Sequence, residues 1–389
     1  MSQRTGIAVI FKREWKRILS SKVCIWGMMV APLLSLLILV PMMNEGLPNK
    51  IPIAVVDLDN SSTSRSLIRQ LDAFPKTDIK FKSLSFREAR EKMERAEIYG
   101  IFLIPREFSS KAISGERPKL SFYTNNAFLI SGSLLFQDLK SISVLTSASV
   151  GLKTAEAKGY STSQIMPVIQ PVSVESHPIA NPYLNYSVYL NNTLLPGILG
   201  IIIMLFTTSS FGCEVKSGSG RLLMGLGNNS IFKVVVGKIL PYTIIYMVIS
   251  LLFMSVFYYY NKFPLNSGFF PMFLNYLFFI IASQGVGLIL LSVFSNYRFA
   301  GSMASLIGSM AFSISGFSFP SLAMDPVLQS VSYLFPLRHF FLIYVDQALN
   351  GLSFAYSAYH YAALLAFMLL ALLLIPLLKS FLTKNIYEE

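Results

Sequence analysis

Residues 186–223 read YSVYLNNTLLPGILGIIIMLFTTSSFGCEVKSGSGRLL. From Tyr186 to Gly212 there is no Asp, Glu, Lys or Arg, and the run exceeds the roughly 20 apolar residues that cross a bilayer. Its continuation, FGCEVKSGSGRLL (211–223), sets three glycines and two serines beside Lys216 and Arg221, the composition of a loop that cradles phosphate. A phosphate loop needs G-x-x-x-x-G-K-[ST] after a strand, so that backbone N–H groups wrap the phosphate and the Lys reaches it. Here no Gly-Lys-Ser/Thr occurs, and a spanning helix precedes the glycines. The stretch reads as a polar turn at the end of a membrane crossing.

The rest of the chain agrees with a membrane class. Of 389 residues 53% are hydrophobic and 13% charged, against about a quarter charged in soluble domains. The charges are segregated: 17 Lys/Arg and 14 Asp/Glu fall between Met43 and Asn185, which leaves 15 basic and six acidic residues elsewhere. The net charge of +12 is mostly a membrane-flank signal and gives no reason to expect a nucleic-acid partner. Cys24 and Cys213 lie in or beside apolar runs, and His177, His339 and His360 are far apart in sequence. Neither a disulfide framework nor a zinc site is expected. The basic start, Arg4 to Lys22, leads into a full-length apolar run with no small-residue cleavage motif, so a retained helix is expected in place of a signal peptide.

These patterns predict a polytopic α-helical membrane protein with six transmembrane helices and an inserted α/β extracytoplasmic domain. The spans are placed at 23–43, 186–212, 239–261, 271–295, 299–319 and 356–379. A cytoplasmic amphipathic helix is placed at 1–22, the α/β domain at 44–185, a cytoplasmic loop at 213–238, an outer segment at 320–346 and a cytoplasmic tail at 380–389. Basic residues before the first span, Lys216, Arg221, Lys233 and Lys238 in the loop, Arg298, Lys379 and Lys384 all fall on one side of such an arrangement. Of the short loops, only Lys262 and Arg338 fall opposite. Both termini are therefore expected in the cytoplasm.

On a helical wheel Ile7, Ile10, Phe11, Trp15, Ile18 and Leu19 share one side of residues 7–19, with Lys12, Arg13, Lys16 and Arg17 on the other. Glu14 and Val9 break the pattern. A helix lying in the cytoplasmic interface is expected, with Phe11, Arg13, Trp15 and Arg17 as its working residues. In the large segment, IPIAVVDL (51–58), DIKFKSLS (78–85), YGIFLIP (99–105) and PKLSFYTN (118–125) read as strands. Helices are expected over 61–72, 86–97 and about 128–159, and a last extended piece over 168–176. AVVDLDNSS (54–62) has the Asp-x-Asp of phosphatases that attack phosphorus with the first aspartate. That chemistry also needs a Lys for phosphate and an acidic pair for magnesium, which the downstream sequence does not offer. Asp57 and Asp59 are more simply the end of a strand turning into a helix. The alternating charges of 86–97 read as a solvated helix face.

Three stretches carry a family resemblance. The first is the loop Glu214, Lys216, Gly218, Ser219, Arg221, Leu222, Leu223 and Met224, with Gly237-Lys238 ahead of the next span. The second comprises IPIAVVDLDNSSTSRSLIRQL and YGIFLIPREFSSKAISGERPKLSFYTNN. The third is SGFSFPSLAMDPVLQSVSYLFPLRHFF. The chain resembles the membrane subunits of type 2 ATP-binding-cassette (ABC) exporters, in the subgroup with a large extracytoplasmic domain between the first two spans. Lys216 and Arg221 stand where that family's loop has acidic residues.

The resemblance implies a non-enzymatic permease subunit that binds no cofactor itself, with ATP and magnesium held by a partner ABC ATPase. It implies a second permease protomer (identical or related), contact with membrane lipid, and a periplasmic adaptor and outer-membrane channel as further candidate partners. The expected location is the bacterial inner membrane. The 213–224 loop is implied to carry a short coupling helix seated in the ATPase. Pro320, Asp325, Pro326, Pro336 and Arg338 are implied to lie in an outer re-entrant segment. Cargo of amphiphilic, drug-like, lipid-linked or peptide type is implied. A membrane-anchored receptor or scaffold with a ligand-binding outer domain is the alternative.

Overall fold

The computed structural model describes residues 6–44, 46–114, 116, 118–157, 159–161, 180–181, 185–294 and 296–384. The chain divides into two units, Leu47–His177 and the remainder, Met1–Gly46 with Pro178–Glu389.

The larger unit begins with α1 (Ile7–Ser20) and the first apolar helix, α2 (Lys22–Met42). The inserted unit holds β1 (Ile51–Asp57), α3 (Ser62–Asp72), β2 (Thr77–Ser83), α4 (Phe86–Glu94), β3 (Gly100–Ile104), α5 (Phe108–Ser114), β4 (Ser121–Thr124) and α6 (Leu129–Ala157). The sheet order is β2-β1-β3-β4, with β1 parallel to β2 and β3, and β4 antiparallel to β3. The central strand β1 buries Ile53, Ala54, Val55 and Val56 in succession, as a parallel strand covered on both faces must. Successive side chains point to opposite faces. Ile53 and Val55 pack with Leu67, Leu71, Leu135 and Leu139, while Ala54 and Val56 pack with Ala89, Ile98 and Ile101. The expected extended piece at 168–176 lies outside the described residues.

The Asp-x-Asp motif makes the β1–α3 turn. Asp57 Oδ1 accepts from the amides of Asp59 and Asn60, both at 3.0 Å, and Oδ2 accepts from Ser64 Oγ at 2.7 Å. Ser61 and Ser64 complete a reciprocal cap at the start of α3. Both Asp57 oxygens are thus engaged in local structure.

The larger unit continues with α7 (Tyr186–Lys216), α8 (Gly220–Leu226), α9 (Ile231–Tyr260), α10 (Phe269–Val293) and α11 (Tyr297–Ile314). After these come α12 (Pro326–Ser332), α13 (Pro336–Ile343), α14 (Phe354–Leu373) and α15 (Ile375–Lys384). Among the described residues five helices, α2, α7, α9, α10 and α14, are long and apolar enough to cross a membrane. The fifth expected span, 299–319, corresponds to the 18-residue α11, which starts with Arg298 in its first turn and ends before Gly316 at φ 96°. Ser318 Oγ closes that end by donating to the carbonyls of Phe312 and Ser313 at 2.9 and 3.1 Å.

Other boundaries differ from the sequence reading. Helix α7 continues to Lys216, beyond the expected end at 212, and α9 begins at Ile231 instead of 239. The last expected span, 356–379, is broken at Leu374. Pro376 has no N–H to continue the ladder and its ring crowds the carbonyl four residues back, so α15 starts afresh with that proline in its first turn.

Aromatic residues dominate the interior. Tyr246, Phe253, Phe257, Tyr276, Phe279 and Phe340 are fully buried, and the Tyr276 and Phe340 rings meet edge-on at 5.0 Å. Polar bonds fix α13 against the apolar helices. Asn275 Nδ2 donates to Phe340 O at 3.1 Å, and Tyr344 OH donates to Val188 O at 2.9 Å.

Candidate functional site

Helix α1 buries a stripe that contains a carboxylate. Ile10, Glu14 and Ile18, spaced at i, i+4 and i+8, are at most 1% exposed, while Ile7 and Leu19 of the expected apolar side are exposed. Gly237 of α9 lies against this stripe. A Cβ there would stand 2.9 Å from Ile10 Cβ and 3.0 Å from Ile7 O, so only glycine lets the two backbones approach so closely.

The next residue, Lys238, is fully buried and reaches both acids. Its Nζ lies 2.6 Å from Glu14 Oε2 and 2.9 Å from Glu214 Oε1. Tyr242, one turn on, donates its hydroxyl to Glu14 Oε1 at 2.8 Å. Glu214, near the end of α7, receives a forked pair from Arg13, Nη1 to Oε1 at 2.9 Å and Nη2 to Oε2 at 2.8 Å. Arg17 Nη1 donates to Glu214 Oε1 at 3.2 Å and to Ser210 O at 3.1 Å, and lies 3.4 Å from Glu14. Burial opposes the charge on Arg17, but the nearby Glu14 and Glu214 outweigh it and hold the guanidinium above its usual range.

This cluster sits beside the glycine turn. Ser219 Oγ donates to Glu214 Oε2 at 2.5 Å, and Gly218 takes φ 66° with nothing near its Cα hydrogens, a conformation for which glycine carries no steric penalty. The turn feeds α8, whose residues divide by face. Leu223 and Met224 are buried among Ile10, Phe211, Val215, Leu378 and Leu382, whereas Arg221, Leu222 and Gly225 are exposed. The Gly6 amide donates to Leu226 O at 2.9 Å and ties the start of α1 to the end of α8. Three segments far apart in sequence are thereby joined around α8.

The sequence-predicted residues are only partly brought together. Arg13, Arg17, Glu214 and Ser219 meet in one network. Phe11 and Trp15 stack at 5.8 Å on α1, both half-buried. Lys216, Gly218, Arg221 and Leu222 face outward, and Leu223 and Met224 point into the chain's own core, so of these three consecutive apolar residues only Leu222 is exposed. Glu214 is also buried, at 1%, and serves the chain internally. In the segment 320–346, Pro320 precedes a short turn at Ser321–Ala323, and Asp325 caps α12 by accepting from the Val327 amide at 2.9 Å. Pro326 and Pro336 open α12 and α13, and Arg338 is buried.

The sequence reading does not single out Glu14 and Lys238 as a pair: Glu14 interrupts an amphipathic pattern, and Lys238 reads as a flanking charge. Each was readable as half of a buried pair: an acid amid an apolar stripe, and a lysine seven residues inside a helix that is otherwise apolar after Lys233.

The Linearmycin resistance permease protein LnrN of Bacillus subtilis (strain 168) is 35% identical over 95 residues, which is 24% of this chain and 24% of that protein. The alignment thus spans about a quarter of the relative. A family model described as ABC-2 family transporter protein matches residues 22–377, from the start of α2 to α15. The chain therefore belongs to the ABC-2 family of transporter proteins.

Proposed function

We infer that the chain is the membrane-spanning permease subunit of an ATP-driven ABC exporter, working with separate ATPase subunits and a second permease protomer. The observation that carries this reading is the division of α8: one face locked by Leu223 and Met224 under the Glu14–Lys238–Glu214 network, the other offering Arg221, Leu222 and Gly225 outward. Such a helix transmits a push. Force on its exposed face reaches α1, α7 and α9 together through charge-assisted hydrogen bonds. ATP binding and hydrolysis on the partner would move α8, and the apolar helices would shift between inward and outward openings.

In this reading α11 is the sixth crossing, both termini lie in the cytoplasm, and the inserted unit and 320–346 lie on the outer side of the bacterial inner membrane. The name of the matched permease supports export of an amphiphilic or drug-like compound, with lipid-linked molecules and peptides as the other cargo classes. The test is capture of the tagged chain from detergent-solubilised membranes with a nucleotide-binding subunit expressed from the same locus. Wild type retains the ATPase, and Leu222→Asp releases it while reaching the membrane at the same level. If no ATPase accompanies the wild-type chain, the receptor or scaffold reading replaces this one.

A further inference from the structure

A second buried charge in the larger unit has no counterpart among the described residues. Arg338, in the first turn of α13, is 5% exposed, yet among those residues its Nε and Nη1 find no hydrogen-bond partner. An arginine cannot shed its proton in a protein, and a buried charge without a partner is costly. Both carboxylates of 320–346 are committed elsewhere. Asp325 holds the Val327 amide at 2.9 Å, and Asp346 accepts from Ser357 Oγ at 3.2 Å.

The guanidinium is enclosed by one aromatic ring and several polar groups. The Tyr333 ring covers it at 4.5 Å. On another side is Gly316, where a Cβ would stand 3.4 Å from Nη1 and 3.7 Å from Ser321 Oγ, so the missing side chain leaves room for a single heavy atom in ordinary contact with both groups. Beside it Ser315 Oγ is fully buried and also lacks a partner. His339 and His360 lie next to the arginine with Nδ1 atoms 3.2 Å apart, so at least one ring accepts and is neutral. Burial holds His339 down to about 4, which leaves Arg338 as the standing charge.

The same segment is apolar on its outside. Phe319, Leu322, Val327 and Leu334 are exposed at 52%, 90%, 69% and 66%. Tyrosines and apolar side chains around a cation are the chemistry of a membrane–water boundary. The geometry points to a binding site in which Arg338, with Ser315 and Gly316 beside it, receives the anionic headgroup of an amphiphile, a phosphate or carboxylate whose chain lies along the exposed apolar residues. The site goes beyond the transport reading, because its occupancy is measured without ATPase or transport.

The experiment is native mass spectrometry and thermal unfolding of the purified full-length chain in detergent. It is titrated separately with dioleoylphosphatidylglycerol, zwitterionic dioleoylphosphatidylcholine and inorganic phosphate. Wild type should retain one phosphatidylglycerol in preference to phosphatidylcholine and melt higher in its presence. Arg338→Gln should weaken that retention about tenfold or more, as expected for losing a charge-assisted forked contact. Arg338→Lys should keep part of it, and Lys262→Gln should change nothing. Wild type showing no preference for phosphatidylglycerol overturns the site even if the Gln variant fails to fold. Equal stabilisation by inorganic phosphate overturns the amphiphile in favour of a bare anion. Loss of dimer in Arg338→Gln with lipid retention unchanged overturns it in favour of a second protomer as the missing partner.

Discussion

Glu14 and Lys238 are 224 positions apart, yet Lys238 Nζ lies 2.6 Å from Glu14 Oε2 with neither side chain exposed. Removing either alone leaves the other short of a partner, although Lys238 keeps Glu214 and Glu14 keeps Arg17 and the Tyr242 hydroxyl, at a cost of up to the roughly 3–5 kcal/mol measured for broken buried pairs. Lys238→Met should therefore lower the melting temperature of the detergent-solubilised protein sharply, and Glu14→Gln should do so as well. The double variant should be less damaged than the two losses added together. Additive losses, read by fluorescence-detected unfolding, would show that the contact has no energetic coupling.

Adjacent leucines on α8 should respond oppositely. Leu223 is fully buried and Leu222 is 61% exposed. Leu223→Asp places a carboxylate in an apolar core and should abolish monodisperse protein on size exclusion. Leu222→Asp, purified like the wild type without the ATPase, should leave the elution profile and melting point unchanged, within about 0.5 kcal/mol as for ordinary surface changes.

The approach of α1 to α9 depends on Gly237. Valine there would collide with Ile10 and the Ile7 carbonyl, so Gly237→Val should displace α1 from the bundle. Limited trypsin digestion checks this: Arg13 and Arg17, held in the network in wild type, should become the first sites cut. Wild-type resistance in the variant would mean that α1 is held without the close contact.

Within the inserted unit, Asp138 predicts a pH effect. Burial raises its carboxyl above the usual range despite Lys76 at 3.7 Å, and Oδ2 has no partner among the described residues. The folded unit therefore holds this proton more tightly than the unfolded chain. Its contribution to stability is complete below the unfolded pKa and is lost as pH rises through the folded one. Asp138→Asn should remove that decline and match or exceed wild type at neutral pH. Thermolysin cleavage after brief heating, run from pH 4 to 7 on the intact protein, reads the difference.

Much of this architecture was legible because it follows from repetition. The apolar run Tyr186–Gly212 and the unbroken apolar run of β1 each state one physical requirement many times over, so single exceptions do not obscure them. The strand–turn–helix at Asp57–Ser64 was legible for another reason: its residues satisfy one another locally. The charged network was not, because each member is judged by a partner about 200 positions away. Glu14 alone is a misplaced acid, and only Lys238 and Tyr242 make it a fitting one. Helix ends were misplaced where charge was taken as a boundary. Glu214 and Lys238 lie inside their helices, since paired ions can remain helical where solitary ones would mark an exit.

The order of synthesis gives the network a further consequence. Arg13, Glu14 and Arg17 are made first, Glu214 some 200 residues later, and Lys238 last among the ionic members. A nascent chain that has not reached α9 holds Glu14 without its ammonium and without the Tyr242 hydroxyl. Helix α1 cannot complete its contacts until the third apolar helix emerges, and the network closes only then. A stalled or truncated chain is left with an undocked α1 whose Glu14 has only the Arg17 of its own helix as a counter-charge.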